Sequence, residues 1–557
     1  FLRADYLLFF ASVRAALRIG SAFPFAVTAL VLLITLIIAL ASPPNTYDSQ
    51  TYHLARVANW IQNGSVANYP TAILRQLYQP PLAEFAILHL QILSGGDWLA
   101  NTVQWIALAG CAVTASLLVA EFGLPLKFQM FAAALVATIP GAVVQGSSTQ
   151  NDLVASFFVI AFFFFFKRAA RSDESAGYVW AGAVLGLALL TKSTTYLFCF
   201  PIGVFVVVVR FFRFSDKAAR VTFAQRVALL LFIGFALNFG HFARNTALFG
   251  SPISSGDDDV RNKNVTVRMV LANVARNFAV NLGSKSQTVR SAIEGAMTRS
   301  FGAELKNPNS TWLDNEFKVE FSTHEDLAGN FVHVLLVTIA LIVVFPAARR
   351  DPDIDIYGLV FTIVFGFLMF SALLKWQIWT ARLQLPLLVL GTVLIAYVVG
   401  KLTPRIVPTI LVAIGFAAVV PFLLFAEPRR VFSNDGKFVL FSETREQKLF
   451  KNLPDAGPLY GEAISVIKTQ TNPPNSVGIA IEYNDYEYPI WYLLKSGRAN
   501  PLTLCHVGVP NVSKRLKPVC AAPEVVITTR PENTLDGVPY REIWKRDVLR
   551  VLRRAAQ

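Results

Sequence analysis

The sequence predicts an α-helical polytopic membrane protein that ends in a small α/β domain. Three observations predict it. Of the 557 residues 54% are hydrophobic and the mean hydropathy is +0.49, which leaves too few polar side chains to cover a soluble body. Apolar runs long enough to cross hydrocarbon recur along the chain as far as residue 426. Beyond that point Asn-Pro-Pro and Gly-Pro turns, charged residues and short β-rich runs take over.

Phe1 to Gly20 mixes Phe and Leu with Arg3, Arg14 and Arg18, and no small-residue cleavage pattern follows. Residues 1–22 are therefore expected to form an interfacial helix rather than a signal peptide. About eleven spans are expected, near 23–42, 98–120, 127–144, 152–166, 178–191, 195–212, 226–248, 329–347, 355–374, 384–400 and 405–426. They make a membrane domain over 23–426, with polar segments at 43–97 and 251–328. The tail, 427–557, has β-rich runs at Val477 to Ile481 and Val525 to Thr529 with a helix through Tyr488 to Lys495 between them. An amphipathic basic stretch from Tyr540 to Arg554 closes the chain.

A formal charge of +14 invites a nucleic-acid reading, but the basic residues gather in short loops beside apolar spans. There they act as topology signals and contacts for anionic membrane lipids, which argues against nucleic acid. The clusters Arg3, Arg14, Arg18; Lys167, Arg168, Arg171; Arg210, Arg213, Lys217, Arg220; Arg349, Arg350; and Lys401, Arg405 alternate with positively poor loops. They place the amino terminus in the cytoplasm and, with an odd number of spans, put 43–97, 251–328 and the tail on the extracytoplasmic face. A bacterial inner membrane is the expected location. Cys111 and Cys199 lie in apolar runs as packing residues, whereas Cys505 and Cys520 share the polar tail. In an oxidising compartment they could bridge, a loop closure worth ~3 kcal/mol; two free thiols are the alternative.

Candidate chemistry collects on the outer side. Asp48 lies just past the first span, ahead of a stretch in which Leu54, Val57, Ala58 and Ile61 have helical spacing, as in a helix resting flat on the membrane. It is placed either to take a proton from an incoming hydroxyl or simply to cap that helix. Tyr78-Gln79-Pro80-Pro81-Leu82 breaks the backbone and starts an apolar helix carrying Glu84, a site feature or a plain turn. Asp152, in Gln150-Asn151-Asp152, stands at the outer end of another span, again as a second acid or a cap. Lys192, in Leu190-Thr191-Lys192, interrupts two apolar runs where an ammonium is costly unless an anion meets it or it snorkels to water. Arg244 with Gly250-Ser251-Pro252, and Arg382 ahead of Pro386, end or begin other spans as fixed cations suited to a phosphate. His324-Glu325-Asp326 offers imidazole and carboxylate together for a divalent cation, although adjacent residues seldom share one metal and capping is the alternative. No zinc spacing, phosphate-cradling glycine loop, nucleophile elbow or hydride-cofactor fingerprint is present.

Over roughly residues 24 to 400 these motifs, in this order, resemble the integral-membrane glycosyltransferases of the GT-C class. The broad family in question holds protein O-mannosyltransferases, lipid A aminoarabinose transferases and bacterial lipopolysaccharide-sugar transferases. Tyr47-Asp48 is similar to its first-loop acidic motif and Gln79-Pro80-Pro81-Leu82 to its Lys- or His-Pro-Pro-Leu element. Asn151-Asp152 and Leu190-Thr191-Lys192 resemble its second-loop acid and lysine-bearing hairpin, with Arg244-Asn245 and Arg382 as looser matches.

The resemblance implies a GT-C fold, a sugar donor linked to polyprenyl phosphate, and an acceptor hydroxyl on a glycan, lipid or protein. Asp48 would be the general base with Asp152 as the second catalytic acid, and Lys192, Arg244 and Arg382 would bind the donor phosphate. Tyr47, His53, Tyr78, Gln79, Glu84, His324 and Glu325 would be the substrate contacts. Two departures leave metal use open: Ser49 follows Asp48 where many relatives have a second acid, and Gln79 replaces the cation before Pro-Pro-Leu. A transporter or flippase of lipid-linked sugars is the competing class, since charges inside a membrane also line substrate paths. Its paired half-repeats are not seen.

Overall fold

The computed structural model describes residues 21–555 except 173, 215, 257–259, 314, 350–352 and 497–501. The interfacial helix expected over residues 1–22 falls almost wholly outside the described residues. In chain order the helices are α1 (Ala22–Ala41), α2 (Leu54–Asn63), α3 (Leu82–Ser94), α4 (Thr102–Glu121), α5 (Leu126–Ala137) and α6 (Asp152–Arg171). Next come α7 (Ser175–Leu189), α8 (Thr195–Arg213), α9 (Lys217–Phe249), α10 (Val267–Ala279) and α11 (Gln287–Phe301). Then follow α12 (Phe331–Ala348), α13 (Ile354–Leu373), α14 (Leu385–Leu402), α15 (Val407–Leu424), α16 (Ala456–Lys468) and α17 (Tyr488–Lys495).

Among the described residues nine helices, α1, α4, α6, α8, α9 and α12 to α15, are long and apolar enough to cross a membrane. The shorter α5 and α7 fill the places of the other two expected spans. The run 127–144 is not one helix: α5 stops at Ala137 and the chain resumes as a short helix at Pro140–Gln145. Pro140 has no N–H to give and its ring clashes with the preceding turn, so the break falls there. The run 226–248 is the carboxy-terminal part of a much longer α9.

α14 is buried along nearly all its length and forms the axis of the bundle, with α6 beside it; a helix apolar all round belongs in such a place. α9 lies at the edge and exposes Leu231, Phe232, Phe235 and Phe239, a surface suited to lipid. The short α7 is held against α9 by small residues: a Cβ on Gly182 would sit 2.6 Å from the Leu230 carbonyl, and Gly186 faces Gly234.

The two ends of the bundle differ in charge. At one end Arg171 and Arg210 meet Asp355, and Lys167 approaches Glu121. The opposite end carries Asp48, Asp152, Lys192 and Arg382, together with the carboxy-terminal unit.

That unit is built on six strands, β1 (Ser476–Ala480), β2 (Thr503–His506), β3 (Val525–Thr528), β4 (Thr534–Leu535), β5 (Val538–Arg546) and β6 (Leu549–Arg554), in the order β2-β1-β3-β6-β5-β4. β1 runs parallel to β2 and β3, and the other neighbours are antiparallel. The basic stretch Tyr540 to Arg554 is a hairpin that turns at Asp547, whose φ is +54°. Cys505 and Cys520 are disulfide-bonded, joining β2 to the segment ahead of β3.

α2 does not rest on the membrane as its spacing suggested. Leu54, Ala55, Val57 and Trp60 share one hydrophobic core with Leu449, Tyr488, Trp491 and Leu494 of the tail. An amphipathic face needs an apolar cover, and here protein supplies it.

Gly182→Leu is expected to lower the thermal unfolding midpoint in detergent, by an overpacking cost of about 1–3 kcal/mol against the Leu230 backbone. Gly203→Ala on α8, where a Cβ meets nothing within 4 Å, should leave it unchanged or slightly raised. Equal midpoints for the two variants would remove the packing role assigned to Gly182.

Candidate active site

After α1 the chain turns through Pro43-Pro44 and passes Asp48 into a wide π-helical turn, Ser49–His53, ahead of α2. Asp48 makes no side-chain capping bond there. Its Oδ2 instead accepts a hydrogen bond from Arg382 Nη2 at 2.8 Å. Arg382 lies on a single helical turn, Thr380–Leu383, just ahead of α14.

The same guanidinium gathers two more acids. Arg382 Nη1 is 2.9 Å from Asp326 Oδ1 and 3.9 Å from Asp152 Oδ2. Asp152 opens α6, and its Oδ1 meets Lys192 Nζ at 2.5 Å. Lys192 is therefore paired rather than snorkelling. It sits in the turn between α7 and α8, where the Leu190 carbonyl accepts from the Leu82 N–H at 2.9 Å. That bond ties the Pro-Pro-Leu turn to the lysine hairpin. Three carboxylates and two cations from five separate parts of the chain thus form one mostly buried cluster. Among the described residues Arg382 Nε has no hydrogen-bond partner, and its Asp326 contact is an ion pair without an aligned hydrogen bond, so the guanidinium keeps donors for a ligand.

Electrostatics divides the acids. Burial pushes the Asp48 carboxyl up, but Arg382, His53 and Arg75 together hold it well below the usual range, so it stays ionised. Asp326 is pushed up to about 6 by burial, which Arg382 only partly offsets while Glu325 and Asp48 add to it. Burial also lowers the Lys192 ammonium, against the pull of Asp152.

Other residues singled out in the sequence fall around this cluster. His53 Nδ1 meets Glu84 Oε1 at 2.8 Å, and Arg56 Nη1 reaches the same oxygen at 3.2 Å, so Glu84 is spent on a buried pair and supplies no second acid beside Asp48. Arg56 also donates to the backbone carbonyls of Arg75, Gln76 and Gln79, closing the turn before Pro80. The Gln79 backbone, not its side chain, makes that contact. Tyr47 donates to the Asn484 carbonyl at 3.0 Å and lies edge-on to Tyr486. Tyr78 is buried against Phe249, and its carbonyl accepts from Asn245 at 3.1 Å. Arg244 makes no hydrogen bond or ion pair with the Arg382 cluster; the charge that bears on it is Arg56.

Arg75 and Arg429 were not picked out from the sequence as site residues, and Asp326 was read there only as part of a candidate cation site, not as a partner of Arg382. Arg75 lies over the rings of Tyr47, Tyr52 and Tyr483 and bears on Asp48. Arg429 reaches Asn45, Ser147 and Glu325 from the start of the tail. The available signal for Asp326 was its place beside His324 and Glu325.

His324, Glu325 and Asp326 bring ligand atoms within 4.8 Å of one another. Each is already engaged. Glu325 faces Arg429 at 3.5 Å and accepts from Asn452 at 3.1 Å, and Asp326 faces Arg382. His324 Nδ1 accepts from the Asp326 N–H at 3.2 Å, while its Nε2 bonds Asn452. With both carboxylates answered by guanidinium groups and both ring nitrogens taken, the trio does not fit a resident cation.

Residues 77–239 match the family model described as dolichyl-phosphate-mannose-protein mannosyltransferase. No curated protein matches the sequence. Among solved structures the chain is similar to ArnT from Cupriavidus metallidurans bound to undecaprenyl phosphate, at 13% identity and a TM-score of 0.56 over 96% of this chain and 98% of that one. The apo ArnT structure aligns with a TM-score of 0.54, at 13% identity, over 96% of this chain and 97% of that one. The archaeal oligosaccharyltransferase AglB from Archaeoglobus fulgidus aligns at 13% identity over 85% of this chain and 63% of its own, with a TM-score of 0.47. At such identities the likeness establishes fold. The family model and the nearly full-length match agree that this chain is built on the GT-C fold of integral-membrane glycosyltransferases.

Proposed function

We propose that the protein transfers a sugar from a polyprenyl-phosphate donor to an acceptor hydroxyl, with inversion at the anomeric carbon. The observation that carries this reading is Arg382, bound to Asp48 on one side and to the Asp152–Lys192 pair on the other, with donors to spare. A base and a phosphate-binding cation are thereby held side by side. The family model and the undecaprenyl phosphate in the ArnT structure support a lipid-phosphate donor. Near the carboxy-terminal end of α9, Phe235, Phe239 and Phe242 with Pro252 and Ile253 line an apolar groove of about 610 Å³, suited to a prenyl tail. The basic opposite end of the bundle supports an extracytoplasmic site.

In this reaction the acceptor oxygen attacks the anomeric carbon as the bond from that carbon to the phosphate oxygen breaks. The polyprenyl phosphate leaves with the bonding pair, and the acceptor proton passes to Asp48. Arg382 and Lys192 stabilise the charge that develops on the leaving group. A phosphate drawing Arg382 away from Asp48 also removes the main attraction that keeps this carboxylate weakly basic. Donor binding therefore prepares the base.

Asp48→Asn in purified protein should lower sugar transfer by about 100-fold or more while donor binding persists. Unchanged turnover would remove Asp48 as the base. A second outcome concerns pH. Above about 6 Asp326 is ionised and holds Arg382; below that it is neutral and releases it, while a phosphodiester donor keeps its charge throughout. Donor affinity should therefore rise roughly tenfold as pH falls from 8 to 5, and Asp326→Asn should bind tightly at both. Titration calorimetry showing the same pH slope in both proteins would exclude Asp326 as the competing acid.

A further inference from the structure

A cavity of about 1430 Å³ opens between the end of α15, the segment before α12 and the stretch from 427 to 461. It exceeds the roughly 300–1,000 Å³ that holds a compact small molecule. One wall reaches the cluster: His324 lines the cavity, and its Nδ1 is 3.9 Å from Asp326 Oδ2. Asn452, also on the wall, bonds both His324 and Glu325. A ligand filling the cavity would thus end beside the residues that meet Arg382.

The lining states what kind of ligand. Lys285, Arg430 and Lys451 line it together with Glu427, Glu443 and Glu446, three cations and three carboxylates, so the walls select no net charge. Lys451 and Glu443 already pair with each other. Asn434 and Gln447 add amides, and Thr323 and Thr444 add hydroxyls. Gln447 and Thr444 also cap a helix turn through each other's backbone N–H, and Thr323 donates to the Phe425 carbonyl, which leaves the Thr323 oxygen free to accept. Phe321 and Phe425 supply aromatic surface, with Phe425 38% exposed. Closely spaced donors and acceptors beside aromatic faces suit a hydroxyl-rich ring system, which has polar edges and apolar faces. A polyanion would meet as much repulsion as attraction here, and a lipid tail would strand the charged groups.

The geometry points to this cavity as the acceptor site, taking a neutral saccharide chain whose terminal hydroxyl is delivered past His324 to Asp48. The inference rests on the transferase reading in calling the ligand an acceptor. Gly461, on the cavity-lining face of α16, gives a clean plug, because a Cβ there meets nothing within 4 Å.

Full-length protein in lipid nanodiscs, without donor, is tested by saturation-transfer NMR against neutral linear hexasaccharides of glucose, mannose, galactose and N-acetylglucosamine. A sulfated hexasaccharide and a Ser/Thr-containing hexapeptide are run beside them. At least one neutral glycan should bind, Gly461→Trp should weaken it at least about tenfold, and Gly461→Ala should retain it. Gly461→Phe serves if the Trp variant does not fold. Binding of no neutral glycan, preference for the sulfated chain or the peptide, or glycan binding indifferent to the plug would each overturn the proposal. Because no donor is present, that failure is distinct from failure of the Asp48 transfer experiment.

Discussion

The contact on which this end of the molecule depends is the Arg382 guanidinium among three carboxylates. Asp48 comes from the turn after α1, Asp152 from the head of α6 and Asp326 from the segment before α12. None is near Arg382 in sequence, so one side chain fixes four stretches of backbone relative to each other. Buried charges are costly singly and tolerable together. Without the guanidinium, Lys192 would answer Asp152 while Asp48 and Asp326 lost their ion-pair partner, and the loops carrying them would have to part or take up protons.

A second layer keeps those loops in place. Glu487, fully buried, accepts from Gln76, Asn59 and Trp491 and lies 3.2 Å from His506, while its N–H donates to the Gln50 carbonyl. One carboxylate thereby pins the carboxy-terminal unit to the π-helical turn next to Asp48, to α2 and to the turn ahead of Pro80. The hydrophobic core beneath is shared between the 52–100 region and the tail. The tail is thus a wall of the site as well as an appended sheet. Arg429 makes the same point from its other edge, bonding Asn45 three residues before Asp48.

The spans were legible because a run of apolar side chains declares itself locally, and the Pro140 break is the kind of detail that hydropathy averages away. Asp48, Asp152, Lys192 and Arg382 were legible for a related reason: a charge at the edge of an apolar run is costly without a partner, so each one asks for an explanation. The sequence could not say that they answer one another. Asp326 was passed over for Glu325 because neighbouring acids on an irregular segment carry no periodicity to tell which points inward. Arg75 and Arg429 lie outside the apolar runs of membrane length, where a charge costs less and gives a weaker signal. α2 misled for a different reason, since amphipathic spacing shows that a face is covered but not whether lipid or protein covers it. Arg244 failed to join the cluster because a place at the end of a span does not say which way the side chain turns.

The cluster's own charge accounts for its division of labour. Three carboxylates against two cations leave one negative charge unanswered in a poorly hydrated place, and the proton that relieves it goes where the opposing attraction is weakest. Asp48, with Arg382, His53 and Arg75 all bearing on it, keeps its charge; Asp326, flanked by Glu325 and only partly answered by Arg382, gives its charge up near pH 6. An incoming phosphate deepens the negative surplus and so favours the proton on Asp326. That protonation frees the very guanidinium edge the phosphate needs. On the proposed reaction, anion entry and proton uptake are therefore coupled through Arg382, and the acid left ionised is the one proposed as the base.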